Sequence, residues 1–144
     1  MIKTSDKMNI PCSKKELFSY LDNPRNHQKF TPSLKSVGNI ESLENGGKTV
    51  DYTYSIYGLN FDGSLEEVER EENERMVFEM IGAMEGEIEL QLEETEEDEM
   101  TCLTYIGQYS VHSGLAEIVV APLVKRYNRK EIDSLLSNIR SEFA

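Results

Sequence analysis

From residue 34 to residue 112 polar and apolar side chains alternate in one run after another, and the period turns helical only before and after that train. The clearest run is 48–57, where Val50, Tyr52, Tyr54 and Ile56 share one face while Thr49, Asp51, Thr53 and Ser55 share the other. That period of two is the signature of a half-buried strand. Residues 34–43, 60–70, 76–81, 87–93 and 100–112 supply five more strands, joined by hairpin-length turns such as Glu44-Asn45-Gly46-Gly47, whose Asn and Gly residues tolerate positive φ. Six strands in succession with such links predict an antiparallel meander. In 60–70 Phe61, Gly63 and Leu65 share a side but Val68 breaks the parity. A bulge near Glu66-Glu67 is expected to return Val68 to the inner face and to curl the sheet. Residues 76–81 are apolar at nearly every position and are expected to be buried on both faces.

Ahead of the train, residues 3–10 read as a strand that Pro11 ends, because proline cannot donate to a ladder. Ser13 followed by Glu16 matches a capping box, and Leu17, Phe18, Tyr20 and Leu21 give the helix behind it an apolar face. Pro24, after Asp22-Asn23, suits the first turn of a second short helix through about Phe30, which Thr31-Pro32 stops. Behind the train a long helix is expected from about Ser113 to the end. At about 100° per residue Val124, Asn128, Ile132, Leu135, Leu136, Ile139 and Phe143 fall within one arc. Pro122 should kink or restart this helix. A helix that follows so many strands buries its apolar side against the curved sheet they form, and a sheet gripping one helix encloses a hollow. The class is α+β, with a six- to seven-stranded curved antiparallel sheet around a C-terminal helix.

The size of 144 residues suits one domain spanning 1–144. Acidic residues outnumber basic ones 27 to 15, a formal charge of -12, and such a field repels phosphate backbones, so nucleic acid is not an expected partner. The acidic runs Glu66 to Glu74 and Glu93 to Glu99 are expected to be solvated faces and turns rather than a metal site. The first ten residues lack the apolar core of a secretory signal, and no apolar stretch reaches the roughly 18 residues of a membrane span. A soluble, cytoplasmic protein is expected. Cys12 and Cys102 have no CxxC or Cys/His spacing and are expected to be reduced, semi-buried thiols, with no metal and no cofactor.

Several stretches resemble one family. Ser13-Lys-Lys-Glu-Leu-Phe-Ser-Tyr-Leu-Asp22 with Asn23-Pro24 is similar to a recurring "Leu-Phe-x-Tyr-Leu-Asp-Asp-Pro" helix start. Gly82-Ala83-Met84-Glu85-Gly86, with Ile88 and Leu92, resembles a central hairpin, and Thr101 to Tyr105 a "Thr-x-Val-Thr-Tyr" strand. Ala121-Pro122 to Arg140, with Arg126-Tyr127-Asn128 and Leu135-Leu136-x-Asn138, resembles a C-terminal helix. The family is the START-like, birch-pollen-allergen-like superfamily (SRPBCC), which includes polyketide cyclases and dehydrases. The resemblance implies the helix-grip fold and a cavity, in members that variously bind lipids, quinones, hormones and polyketides. It implies no shared catalytic signature.

Inward tyrosines and one asparagine would give an apolar chamber a few hydrogen-bonding points, as suits a greasy ligand that must be oriented. Tyr52, Tyr54, Tyr105 and Tyr109 on the sheet and Asn128 on the helix are the polar candidates. Phe61, Leu65, Ile88, Leu90, Val124 and Ile132 are the apolar ones, with Phe30 at the entrance beside Thr31 and Pro32. The tyrosines also fit simple core filling. A buried Asn128 needs a partner, from the protein or from a ligand, because an unpaired amide costs about 1–3 kcal/mol. Gly63 and Gly107, inward on strands, either leave volume or admit a close neighbour.

No catalytic residue is assigned. An enzyme of cyclase or dehydrase type needs an acid or base in the hollow, with Glu79 or His27 as the candidates, although His27 reads first as a surface residue, and neither it nor His112 belongs to a nucleophile or metal pattern. Lys125, Arg126, Arg129 and Lys130 form the one concentrated basic patch. It suits ion pairs within the protein, such as Arg129 with Asp133, or an anionic headgroup or transient membrane contact. The expected function is binding of a small hydrophobic molecule (a lipid, quinone or polyketide-like compound) between sheet and helix. The alternatives are the cyclase-like enzyme and a chaperone delivering a lipid or quinone to a membrane or complex.

Overall fold

The computed structural model describes residues 2–56, 58–111 and 117–144, with the side chains of 111, 117–125, 127 and 128 outside that description. The order is β1 (Ile2–Ile10), α1 (Lys14–Leu21), α2 (Pro24–Phe30), β2 (Leu34–Ser42), β3 (Lys48–Ile56), β4 (Leu59–Glu71), β5 (Arg75–Gly82), β6 (Met84–Glu94), β7 (Thr101–Val111) and α3 (Glu117–Phe143). Every strand pairing is antiparallel, in the spatial order β1-β7-β6-β5-β4-β3-β2. Six strands form the expected meander, and β1 closes it by pairing with the last of them, Ile2 opposite Tyr109 and Ile10 opposite Thr101. The two edge strands, β1 and β2, are joined through α1 and α2.

Local chemistry sets both short helices. Ser13 caps α1, its Oγ accepting from the Glu16 N–H at 3.2 Å and donating to Glu16 Oε1 at 3.1 Å. Asn23 caps α2 by accepting from the Arg25 N–H at 3.1 Å, with Pro24 in the first turn. The long helix is a single element across Glu117–Phe143, so Pro122 does not split it in two. Its expected start, 113–116, lies outside the described residues.

Two clusters of buried side chains fill the concave side. The larger joins Leu17, Phe18 and Leu21 of α1 and Phe30 of α2 to Met76, Leu90, Leu92 and Leu103 of the sheet and to Ile132, Leu135, Leu136 and Ile139 of α3. Each fully buried Leu or Ile contributes about 1.5–3 kcal/mol, so those four positions attach the helix. The second cluster holds Ile2, Leu34, Tyr52, Ile56, Phe61, Met80, Met84, Ile88 and Tyr109.

Two expectations change, and the choice left open at Gly63 is decided. The β4 bulge lies at Glu67 to Glu69, and the inner face goes to Glu67, 2% exposed, while Val68 is 39% exposed. The reason is electrostatic. Arg70 follows the bulge onto the same side, its guanidinium 4.8 Å from the centre of the Phe18 ring, and its Nη1 lies 3.2 Å from Glu67 Oε2. A paired charge can stay buried where a lone one cannot. Burial on both faces of 76–81 holds for Met76, Val77 and Met80, but Glu79 and Ile81 are exposed. The gap at Gly63 is taken up by a neighbour: a Cβ there would lie 2.7 Å from the Tyr52 hydroxyl and 2.3 Å from the Ile81 carbonyl oxygen.

Candidate ligand cavity

Two hollows lie on the concave side. The first, about 30 Å³, is walled by Ile56 of β3, Met80 of β5, Met84 and Ile88 of β6, Ile132 and Leu135 of α3, and the polar side chains of Thr4, Thr31, Tyr54, Tyr105, Tyr109 and Glu131. Its wall draws on both clusters, so it marks the seam between the part of the sheet clamped by α3 and the part around Tyr52 and Phe61. The second, about 40 Å³, lies under α2 among Leu21, Pro24, His27, Leu34, Val50, Tyr52, Tyr54, Leu65 and Phe78, with Asp22, Lys48 and Glu67 at its margin. Among the described residues Tyr54 alone belongs to both walls. Ligand pockets commonly span about 300–1,000 Å³, so each hollow as it stands has room for a few waters at most.

The sequence candidates divide between these hollows and the solid core. Tyr54, Ile88, Tyr105, Tyr109 and Ile132 line the first hollow, and Tyr52, Tyr54 and Leu65 the second. Phe30 packs in the larger cluster, 6.0 Å from the Tyr20 ring and 4.8 Å from His27, rather than on a cavity wall. Phe61 is core of the second cluster and Leu90 core of the first. The side chains of Val124, Lys125 and Asn128 lie outside the description, as does the whole of His112. Arg126, Arg129 and Lys130 are exposed, and among the described residues no ion pair joins them to a carboxylate.

Glu131 escaped the sequence reading. It sits one residue before Ile132, beside the apolar arc, and faces the tyrosines because α3 lies against β1 and α2. Ser33, on the segment between α2 and β2, donates its backbone N–H to Glu131 Oε1 at 2.7 Å. Burial raises the Glu131 pKa above the ordinary carboxyl value, against the opposing hydrogen bonds from the Ser33 side chain and backbone. Burial also raises the pKa of Tyr54, Tyr105 and Tyr109, and the charge of Glu131 adds to each. The three phenols therefore stay protonated at neutral pH.

His27 is not the expected surface residue. Its ring lies 4.8 Å from that of Phe30 and 6.1 Å from that of Phe78, and Nε2 donates to the Leu21 carbonyl at 2.6 Å. Burial lowers its pKa, with the Leu21 carbonyl and the charge of Asp22 opposing. It is a neutral imidazole on the wall of the second hollow. Glu79 is exposed and on neither wall.

The polar margin of the second hollow is one network. Arg70 grips Asp22 with Nη1 on Oδ1 at 2.6 Å and Nη2 on Oδ2 at 3.0 Å, and Lys48 Nζ lies 3.6 Å from Asp22 Oδ1. Burial raises the Asp22 pKa, but Arg70 and then Lys48 outweigh it, leaving the carboxyl below its usual range. For Glu67 burial prevails over Arg70 and the pKa rises. Tyr52 also lines this hollow, and its hydroxyl is buried with no hydrogen-bond partner among the described residues.

The family model described as polyketide cyclase / dehydrase and lipid transport matches residues 1–144. The chain belongs to this family. As a polyketide cyclase/dehydrase and lipid transport family member it also has clear structural relatives. A protein from Thermus thermophilus superposes with a TM-score of 0.81 at 15% identity, over 96% of this chain and 94% of that one. A START superfamily protein from Mycobacterium smegmatis gives 0.80 at 12% identity, over 98% and 96%. The Zhui aromatase/cyclase from Streptomyces sp. R1128 gives 0.78 at 11% identity, over 97% and 92%. No curated protein matches the chain. At these identities the shared property is the fold, and it is the START-like helix grip that the meander and terminal helix predict. Among the described residues of this family member no group of side chains could hold a metal, and no helix is long and apolar enough to cross a membrane.

Proposed function

We propose that this chain binds a small, largely apolar molecule between the sheet and α3. The observation that carries the reading is the pair of apolar, polar-spotted hollows divided by one side chain, Tyr54. A ligand that turned this ring aside would join the two spaces along the concave face. Transfer of its apolar surface from water would drive binding at about 25 cal/mol per Å², and the tyrosines would orient it. A lipid, a quinone and a polyketide-like aromatic all fit this description.

A second reading, a cyclase- or dehydrase-type enzyme, draws support from Glu131. A carboxyl group with a raised pKa on a cavity wall has the chemistry of a general acid or base. His27, neutral on the other wall, supplies a second titratable group. A carrier that docks on a membrane draws on the exposed Arg126, Arg129 and Lys130.

Native mass spectrometry of protein purified from its own host, followed by extraction of whatever is bound, tests the binding reading. A lipid, quinone or aromatic polyketide adduct is the expected result. Protein that carries no adduct, and that no member of such a panel stabilises against heat either as wild type or as Tyr54→Ala, overturns it. Conversion of a recovered ligand that Glu131→Gln abolishes would move the assignment to the enzyme.

A further inference from the structure

The charge and ring chemistry of the first hollow select among the end groups that a bound molecule could place there. Among the described residues of its wall, Glu131 is the single charged side chain, and no described cation pairs with it. The remaining polar groups are two threonine hydroxyls and three phenols, from Thr4, Thr31, Tyr54, Tyr105 and Tyr109. Two donors from Ser33 hold the carboxylate. They occupy two of the roughly four lone-pair positions of an ionised carboxylate. The rest of its capacity has no described partner.

A carboxylate in that setting favours one class of guest. An anionic headgroup brought beside the half-buried Glu131 meets like charge where water screens it less, an interaction stronger than at a surface. An ammonium group instead gains a charge-assisted hydrogen bond, about twice as strong as a neutral one. Aromatic rings around the same point add attraction between the cation and their π faces, about 0.5–2 kcal/mol for each well-placed ring. Carboxylate and tyrosines together are the composition of an ammonium receptor, and the apolar floor of Ile56, Met80, Met84 and Ile88 suits the hydrocarbon behind such a head.

Resting on the binding reading above, we infer that the first hollow recognises the ammonium end of an amphiphilic amine, held by Glu131 and the rings of Tyr54, Tyr105 and Tyr109, and that it rejects fatty acids and other anionic amphiphiles.

The test compares octylamine, 1-octanol and octanoate by isothermal titration calorimetry on the full chain, at about 0.15 M salt so that attraction to the acidic surface is screened. Octylamine is expected to bind roughly tenfold or more tighter than octanol, with octanoate weakest. In Glu131→Gln, which keeps an acceptor for the Ser33 N–H, the amine-to-alcohol ratio should fall about tenfold. Loss of one charge out of a large acidic excess would not produce that fall at the surface. Should Glu131→Gln fail to fold, Tyr105→Leu is expected to lower the ratio a few-fold where Tyr105→Phe, which keeps the ring, does not. Octanoate binding as tightly as octylamine, or a ratio indifferent to both positions, overturns the inference and leaves the hydrophobic-ligand reading intact. If none of the three compounds binds, this inference fails, and the hydrophobic-ligand reading is decided separately by the adduct and thermal-shift test above.

Discussion

Arg70 and Asp22 form a two-pronged ion pair, Nη1 to Oδ1 at 2.6 Å and Nη2 to Oδ2 at 3.0 Å, across 48 residues of chain. Asp22 closes α1 and stands before α2, while Arg70 sits just past the bulge of β4. One guanidinium thus ties the joint between the two short helices to the sheet and, through Phe18, to the larger cluster. Asp22→Asn should cost about 2–3 kcal/mol at pH 7, the scale of a lost hydrogen-bonded charge pair that is mostly but not wholly buried. The sign of the pH dependence follows from the depressed carboxyl. A group whose folded pKa lies below its unfolded value stabilises above the latter, and loses that contribution as the pH falls through the folded one. Urea unfolding of wild type and variant should therefore differ fully at neutral pH and converge progressively below 3.8, the ordinary value. A gap that is unchanged at low pH would assign the loss to packing rather than to charge.

Tyr52→Phe should raise stability. The Tyr52 hydroxyl is buried without a described partner, and its ring already fills the space over Gly63. Desolvating an unpaired hydroxyl costs about 1–3 kcal/mol, so its removal should return part of that amount. The gain is checked by the shift in the urea midpoint at constant slope. A loss of more than about 1 kcal/mol would mean that the hydroxyl makes a hydrogen bond in solution.

His27 should make the protein acid-sensitive in a range where few other side chains titrate. Its folded pKa lies below the usual 6.5 because burial disfavours the imidazolium. Below 6.5 the unfolded chain takes up a proton that the folded one does not, so stability falls with falling pH. The slope is at most about 1.4 kcal/mol per pH unit, down to the folded pKa. His27→Gln should flatten stability below pH 6.5 relative to wild type. Equal slopes in the two proteins would mean that the imidazole charges freely in the fold.

The meander, the first helix cap, the start of the second helix and the last helix were legible because each rests on local chemistry: period-two faces, Ser13 with Glu16, Pro24 in a first turn, and the arc through Ile132, Leu136 and Ile139. The cavity wall was only half legible. Tyr54, Tyr105 and Tyr109 were found because alternation along β3 and β7 assigns them a face. Glu131 was not, because at one position from Ile132 it falls at the margin of the helical arc, and only the approach of the segment carrying Ser33 makes that margin interior. The bulge misled for a related reason. Parity arguments assume that the apolar residue goes inside, yet at Glu67 and Val68 the outcome turned on Arg70 and Asp22, partners that lie close only in the folded chain. The apolar run 76–81 points to burial on both faces, yet Glu79 is exposed although Val77, on the same face of β5, is buried.

The pairing of β1 with β7, Ile2 opposite Tyr109, sets the order in which this molecule can be completed on the ribosome. The nine residues of β1 have no partner strand until the seventh strand has been synthesised. The long separation of these contacts slows folding relative to a chain of local hairpins. Throughout that interval an unpaired N-terminal segment is exposed to other chains, and the Lys3, Asp6 and Lys7 charges along it are the kind that discourage edge-to-edge association.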